Sequence, residues 1–400
     1  MRLYDKIMQY IPFSQPQHDL FARYDAEAFG ESFEELRKWL ADDKEVQLRG
    51  LFDGDEPVAQ LCFYRFDMSD GRGSLPCAAI GAVSCRPAQR RRGYVAELIR
   101  KLCDELRQEG IPLSALNPFK MSFYRQFGWA TFVEHRAVKA GMEAFEAFRK
   151  PITGRFEPAG KEQIDVLQEI YLNALRGRFG PIVRSQHRWE SNTLHSNQAT
   201  RYAYIWRDDS GQARAYCIYS IEKRDNKQTM VCREAVALDP QARAQLFSFM
   251  ASQDSLVERV QFQAPAEAPL SAILGGSLEF LVRPHTMLRL VDCQAALAGY
   301  HYPRSCTGRV TLAITDRWLI DNSGVYALEL HEGHATVTRL PADTQADLSC
   351  DIAVLAQLYS RLLRPRIAAS FGLIDVHNRS ALTLLDAMFE GLAPFISDYF

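Results

Sequence analysis

The sequence lacks any long hydrophobic run. No stretch of about 18 apolar residues occurs in it, so no transmembrane helix is expected. Residues 1–5 do not begin an apolar segment of the kind that secretory signal peptides contain. These two absences predict a cytoplasmic protein without a membrane partner.

An excess of either charge is also missing, since the formal net charge is −2. Proteins whose main partner is nucleic acid concentrate Lys and Arg on one face to neutralise phosphates. Nucleic acid is therefore not expected as a partner. One local basic run is present, at Arg90, Arg91 and Arg92.

Paired cysteines are absent too. The nine cysteines are scattered and none belongs to a Cys-x-x-Cys pair, which predicts buried free thiols in a reducing compartment. His331 and His334 are three residues apart, but Glu332 and Gly333 between them favour a hairpin turn over a metal site. No metal is expected.

The sequence does have enough length and apolar material for more than one core. Its 400 residues exceed what one ordinary core holds, and a hydrophobic content of 47% is typical of globular proteins. Residues 1–150 and 151–290 share a mixed α/β pattern, whereas residues 291–400 change to antiparallel strands followed by helices. The predicted fold class is α/β (α+β), with three domains at these boundaries.

The clearest local pattern begins at residue 78. Apolar residues recur at helical spacing over residues 95–109, between predicted strands at 78–85 and 111–116. Asn117 and the proline after it predict the start of a short helix that runs to Gly128. In the last domain, strands are predicted at 310–315, 318–322, 325–330 and 335–340.

Residues 79–95 form a predicted strand, a short basic loop and a helix start. A helix N-terminus carries unpaired N–H groups and partial positive charge, so it suits a pyrophosphate. Gly93 allows close approach of the backbone, and the three arginines add positive charge. An arginine run alone would favour a solvated helix cap, but the strand–Arg-x-x-Gly–helix order favours a phosphate site.

This segment resembles the acetyl-CoA signature of the GNAT acyltransferases, Arg/Gln-x-x-Gly-x-Gly/Ala. Here Arg90-x-x-Gly93-x-Val95 matches all but the last position. The resemblance implies that pantetheine lies along the strand and that backbone N–H groups from Arg91 onward bind pyrophosphate. The cofactor-binding residues assigned in this way are Val83, Ser84, Cys85, Arg90, Arg91, Arg92, Gly93, Tyr94, Val95 and Asn117.

The order of the three domains, with an aromatic C-terminus, resembles the enhanced intracellular survival (Eis) family. That family has a GNAT domain, a degenerate second GNAT domain and a C-terminal domain like sterol carrier proteins, and the resemblance implies a hexamer. In the second domain, residues 236–242 contain no glycine and place Asp239 at a helix start. A carboxylate there repels phosphate, so one acetyl-CoA per chain is expected.

Acetyl transfer to an amine needs a neutral amine, a polarised thioester and a proton for the leaving thiolate. Tyr124 lies in a Phe-Tyr-Arg-x-Phe-Gly segment that matches the family's general acid. The resemblance also implies that the C-terminal carboxylate of Phe400 reaches the active site as the base. Taken alone, both residues are also explained by packing.

The acceptor pocket is predicted from the first helical region and the chain end. Phe29, Phe33 and Trp39 are expected to flank the substrate, and Asp398 to add negative charge. Together they favour a polycationic amine such as an aminoglycoside or a polyamine. Alternative functions are lipid or small-ligand binding by the last domain, an acetyl-CoA-binding pseudoenzyme, and acetylation of protein lysines.

Overall fold

A computed structural model describes residues 8–195 and 199–400. Residues 1–5, on which the expectation of no signal peptide depends, lie outside the described residues. Within the described ranges, no helix is both long enough and apolar enough to cross a bilayer. All nine cysteines are free thiols, and seven of them are buried.

The chain alternates strands and helices throughout. The strands are β1 Gln9–Pro12, β2 Gln47–Asp53, β3 Glu56–Asp70, β4 Ser74–Cys85, β5 Leu113–Leu116, β6 Ala130–Gly141, β7 Arg155–Pro158, β8 Phe179–Ile182, β9 Tyr202–Arg207, β10 Ala213–Arg224, β11 Lys227–Ala237, β12 Arg259–Ala264, β13 Leu278–Leu290, β14 Gly308–Thr315, β15 Gly324–His331, β16 His334–Leu340, β17 Leu348–Asp351 and β18 Ile374–Val376. The helices are α1 His18–Phe29, α2 Phe33–Asp42, α3 Tyr94–Gln108, α4 Met121–Arg125, α5 Ile164–Ala174, α6 Gln186–Arg188, α7 Pro240–Ala251, α8 Leu270–Ile273, α9 Cys293–Gly299, α10 Ile352–Tyr359, α11 Pro365–Ser370 and α12 Arg379–Met388.

Two sheets organise these strands. The first has 13 strands, ordered β1-β2-β3-β4-β5-β13-β6-β12-β11-β10-β9-β7, with β8 paired to β3. The second has five, ordered β16-β15-β14-β17-β18. Strands β14, β15 and β16 form the predicted antiparallel meander, and β17 joins β14 in parallel. The mixed α/β fold class is confirmed.

Strand β13 joins the two GNAT-like halves of the large sheet. It is the last strand of the second half in sequence, yet it lies between β5 and β6, antiparallel to both. Sequence periodicity did not predict a strand there. The large sheet is consequently continuous from the first half to the second, and the boundaries at 150 and 290 remain predictions.

The part of the sheet that positions the site is the divergence of β4 from β5. The two strands pair in parallel from Cys77 opposite Leu113 to Ile80 opposite Leu116, and then stop pairing. Just beyond, Ala82 has a φ of 49° at a register shift between β3 and β4. A bulge of this kind bends a strand and increases its twist, so β4 leaves its neighbour and a gap opens.

Helix α3 begins where β4 and its loop end. The apolar residues that predicted it, Leu98, Ile99, Leu102 and Leu106, are all buried. They pack with β3 and β4 side chains in one core cluster. The helix ends before Gly110, whose φ of 73° is the left-handed conformation typical of a residue that follows a helix. The predicted helix over 95–109 is confirmed.

Two local predictions were wrong. Residues 318–322 are not a strand, because the Asp316 carboxylate accepts the N–H groups of Trp318 and Leu319 and closes a turn before a 3₁₀ helix at Ile320–Asn322. Asn117 is not a helix cap, because α4 begins four residues later, after Lys120. The predicted hairpin turn at Glu332–Gly333 is confirmed.

Candidate active site

A cavity of about 570 Å³ opens between the end of β4, the basic loop and the start of α3. Most of the residues assigned to the cofactor line it, together with Phe29 from α1 and aromatic residues from the α4 region. The assigned residues on its wall are Val83, Ser84, Cys85, Arg90, Arg91, Gly93, Tyr94 and Val95. Arg92 is exposed on the same loop.

The N-terminus of α3 is open to a ligand. Gly93 is its N-cap residue, with a φ of 86°, and no side chain caps this end. A Cβ built on Gly93 would meet nothing within 4 Å, so the space beside it is free. Arg91 also has a positive φ, 62°. This loop and the uncapped helix therefore fit a pyrophosphate.

The corresponding helix of the second half, α7, is closed to phosphate. Asp239 is its N-cap, and the carboxylate accepts the N–H of Ala242 at 3.0 Å. The same carboxylate pairs with Arg214 at 2.7 Å. The prediction that Asp239 stands at this helix start is confirmed, and its carboxylate occupies the place where an anion would bind.

The last residue of the chain lies at the gap between β4 and β5. The α-carboxyl carbon of Phe400 is 3.6 Å from the position that a Cβ on Gly81 would occupy. Its ring stacks on Phe66, with centroids 5.2 Å apart and planes 9° apart. The guanidinium of Arg188 lies 4.9 Å from the centroid of the Phe400 ring. The terminal carboxylate is thereby fixed beside β4.

Asn117 holds this residue rather than lining the cavity. Its side-chain oxygen accepts the N–H of Phe400 at 2.8 Å. Its amide nitrogen donates to Thr286 Oγ1 at 3.2 Å and lies 3.1 Å from His285 Nδ1. Both ends of the Asn117 side chain are thus engaged by protein groups on β13 and at the chain terminus.

Tyr124 lies on α4 and packs against aromatic residues of the cavity wall. Only 4% of its surface is exposed, and its ring makes edge contacts with Phe119 and Phe123, both of which line the cavity. Burial raises the pKa of the Tyr124 phenol. The phenol is therefore protonated throughout the neutral range.

The four residues assigned to the acceptor do not lie together. Phe29 is 44% exposed and lines the cavity. Phe33 and Trp39 are half-buried on α2 and pack against a separate cluster around Phe21. Asp398 is fully buried, with its carboxylate 3.1 Å from Arg184 and from Arg188, so it does not face solvent.

Asp25 is a candidate active-site residue that the sequence analysis did not predict. It lies on the buried face of α1, is 4% exposed, and its Oδ1 has no hydrogen-bond partner. Burial and the charge of Glu31 raise its pKa to about 7. Burial and then the Asp25 charge raise the pKa of the Cys62 thiol, whose sulfur lies 3.2 Å from the Cβ position of Gly81. The sequence feature that could have revealed Asp25 is a carboxylate on the apolar face of helix α1, next to Phe21 and Ala22.

Comparison with known proteins identifies the domains. Models described as "Acetyltransferase (GNAT) domain" match residues 9–132 and 180–290, and a "Sterol carrier protein domain" model matches residues 293–397. A protein named N-acetyltransferase Eis from Mycobacterium tuberculosis is 24% identical over 388 residues, 91% of each chain. In the described residues, no group of three or more His, Cys, Asp or Glu side chains could hold a metal ion.

Solved structures show the same fold. A GCN5-related N-acetyltransferase from Anabaena variabilis superposes with a TM-score of 0.88 at 22% identity, covering 98% of this chain and all of the other. Eis1 from Mycobacterium abscessus superposes with a TM-score of 0.78 at 21% identity, with the same coverage.

The fold, the open helix N-terminus and these matches define a GNAT-superfamily N-acetyltransferase. Within that superfamily the chain is of the Eis type, with tandem GNAT domains followed by a sterol-carrier-like domain.

Proposed function

We propose that this enzyme transfers an acetyl group from acetyl-CoA to a small-molecule amine, with Tyr124 as the general acid and the Phe400 carboxylate as the base. One observation carries the proposal. The carboxyl carbon of Phe400 lies against Gly81, where β4 parts from β5, and the cofactor loop and cavity lie at the end of the same strand.

The residues that would hold acetyl-CoA follow from the cavity. The Gly93 loop and the uncapped α3 N-terminus would bind the pyrophosphate, with Arg90 to Arg92 adding positive charge. The end of β4, at Val83 to Cys85, would pair with the pantetheine amides. Bound acetyl-CoA supplies the thioester. The second domain would bind none, because Asp239 closes its helix.

Proton transfer would involve both proposed catalytic residues. The Phe400 carboxylate, with an ordinary pKa of about 3.3–3.7, is a weak base in water. Its proposed place beside Gly81, at the gap between β4 and β5, would let it accept a proton from the acceptor ammonium. Tyr124, which burial keeps protonated, would then give a proton to the leaving thiolate.

The acceptor is proposed to be a cationic amine of low molecular weight. The Phe400 carboxylate would attract an ammonium group, and Asp25, whose charge acts on Cys62 beside Gly81, would add to that attraction when it is ionised. The exposed Phe29 ring of the cavity wall would contact the cation. Aminoglycosides and polyamines carry several such groups. A peptide lysine carries a single one, and is therefore less favoured.

The sterol-carrier-like domain is not assigned a lipid ligand. Its buried apolar side chains, from Leu312 to Met388, form one packed cluster with residues of the first domain. Its proposed task is to carry the chain end to the active site. A cytoplasmic hexamer remains a prediction.

The test is CoA release from acetyl-CoA with a panel of amines, using protein that carries no C-terminal tag. The panel holds aminoglycosides, polyamines, lysine peptides and arylamines. We expect release with aminoglycosides or polyamines, and we expect added salt to raise the acceptor KM because salt screens the carboxylates. CoA release with lysine peptides alone would show that the acceptor is a protein lysine and not a small-molecule amine. Acetyl-CoA binding without CoA release in the presence of any amine would indicate a pseudoenzyme.

A further inference from the structure

We propose that residues 178–188, here called the clamp, hold residues 393–400, here called the tail, so that the second GNAT domain serves the active site of the first. Arg184 and Arg188 are the positioning residues of the clamp. Its effect on turnover rests on the proposed role of Phe400, whereas its effect on the tail does not.

The clamp and the tail run side by side in the same direction. Arg178 donates to the carbonyl of Ala393 at 2.9 Å, and Phe179 accepts the N–H of Phe395 at 2.9 Å. Further along, Arg184 reaches Ser397 and Asp398. At the end, Arg188 contacts the last three residues. Because the contacts follow the same order along both segments, the clamp and the tail form an extended interface and not a single contact.

Arg184 anchors the middle of the tail. It is 4% exposed, and its guanidinium lies between the Tyr171 and Trp189 rings, 4.2 and 4.5 Å from their centroids. It pairs with Asp398 at 3.1 Å and with Glu234 on β11 at 2.5 Å. Burial disfavours ionisation of Asp398, but the charges of Arg184 and Arg188 outweigh it and lower the pKa of Asp398. The Asp398 carboxylate is therefore ionised, and the guanidinium groups of Arg184 and Arg188 hold it.

Arg188 acts closest to the proposed base. Its Nε donates to Asp398 at 3.1 Å and an amino nitrogen donates to the carbonyl of Tyr399 at 2.8 Å. The same guanidinium lies over the Phe400 ring. One side chain thus contacts three consecutive residues. Of the clamp contacts, those of Arg188 lie closest to the terminal carboxylate, so their loss should displace it most.

Gly180 shows how closely the two backbones approach. A Cβ at this position would lie 2.7 Å from the carbonyl oxygen of Phe395, and its φ is 114°, which side chains rarely adopt. Any other residue would push the tail away. This contact provides a variant that alters the tail without removing a charge.

The experiment measures release of Phe400 by a carboxypeptidase that prefers C-terminal aromatic residues, followed by intact mass on the folded 400-residue protein. We expect wild type to be resistant. Arg188→Gln should release Phe400 at least tenfold faster, because Asp398 keeps its contact with Arg184 but Tyr399 and Phe400 lose their contacts with Arg188. Arg188→Lys, which retains the charge, should give an intermediate rate. Gly180→Ala should also speed release.

The same variants are assayed for turnover. We expect Arg188→Gln to lower kcat by about 10- to 100-fold with the KM for acetyl-CoA unchanged, because displacement of a reacting group by about 1 Å has effects of that size. The matched control is Arg207→Gln, which breaks a second-domain ion pair with Glu157 away from the tail. It should change neither Phe400 release nor kcat.

The two proposals fail in different ways. Equal Phe400 release from wild type and from both the Arg188→Gln and Gly180→Ala proteins would overturn the clamp. Faster release from folded variants whose kcat is unchanged would keep the clamp but remove Phe400 from catalysis. A wild type whose tail is protected and which acetylates no amine would contradict the proposed function alone.

Discussion

The side-chain oxygen of Asn117 accepts a 2.8 Å hydrogen bond from the backbone N–H of Phe400. Asn117 is the first residue after β5, the strand that parts from the cofactor strand. The chain end is therefore fixed from two sides, by the first domain through Asn117 and by the second through Arg188. The position of the terminal carboxylate follows from the fold and does not depend on a ligand.

Adding one glycine after Phe400 should reduce turnover by at least 100-fold. The extension replaces the carboxylate beside β4 with a peptide group and moves the charge by about 3.8 Å. Tail contacts up to Tyr399 remain, so the melting temperature should stay within about 2 °C of wild type. CoA release and thermal melts measure the two effects. Unchanged turnover in the extended protein would remove the carboxylate from the mechanism.

Tyr124→Phe should lower kcat by about 10²-fold or more, the usual size of a lost general acid. The KM for acetyl-CoA should hardly change, because the proton is donated to the leaving thiolate in the transition state and not when acetyl-CoA binds. The control is Tyr326→Phe in β15, which loses a hydroxyl bound to the Asn322 carbonyl and should keep the wild-type kcat. Steady-state kinetics of both variants measure this, and equal kcat values would exclude the role of Tyr124.

Gly93→Ala should raise the KM for acetyl-CoA several-fold. The substitution strains a left-handed residue at the proposed pyrophosphate site. Gly110→Ala at the other end of α3 is a close match, since its φ of 73° is similar and nothing lies within 4 Å of its Cβ position either. Both variants should lose about 1–2 kcal/mol of stability, but only Gly93→Ala should weaken acetyl-CoA binding. Equal KM values would contradict this site.

Asp25→Asn should increase stability above neutral pH. The folded-state pKa of Asp25 is raised from 3.8 to about 7, so the stability that the protonated Asp25 carboxyl contributes is fully present below pH 3.8 and is lost as the pH rises towards 7. That difference corresponds to about 4 kcal/mol. Asparagine cannot ionise and should flatten this dependence. Above pH 7, where the wild-type carboxylate is ionised, the loss of its charge should also raise the acceptor KM.

Thermal melts between pH 4 and pH 8 measure the stability effect. Asp19→Asn is the control, since Asp19 lies on the same helix with its side chain 61% exposed. That variant should follow the wild-type pH dependence. An Asp25→Asn protein with the same pH dependence as wild type would show that the carboxylate is ionised in the folded state.

Calorimetry should give one acetyl-CoA per chain. The first domain has an uncapped helix N-terminus at Gly93. In the second domain, the Asp239 side chain caps the N-terminus of the corresponding helix, α7. Gly93→Ala should weaken the single binding event and reveal no other. Two equivalent binding events in wild type would contradict the closed second site.

The basic loop and the uncapped helix start could be predicted from sequence because they are local. A strand, a basic loop and a helix start fall within residues 79–95, and their order alone predicts an anion site. Asp25 and the clamp were not predicted, because their function depends on packing. Arg184 contacts Asp398 across 214 positions of the chain, and no periodicity relates them.

The fold shows the same division. The amphipathic pattern predicted α3, since one helix face meets the sheet. The pattern of β13 did not predict its place, because residues 279–284 are exposed and its partners β5 and β6 are far earlier in the chain. At residues 318–322, one aspartate side chain, Asp316, overrides the strand propensity by binding two backbone N–H groups.

The place of β13 also has a consequence for synthesis on the ribosome. The first domain cannot complete its sheet when residue 150 has been made, because the strand between β5 and β6 is translated only at residues 278–290. Until then the facing edges of β5 and β6 are open to pairing with other strands. The large sheet can therefore be completed only after most of the second domain has been synthesised.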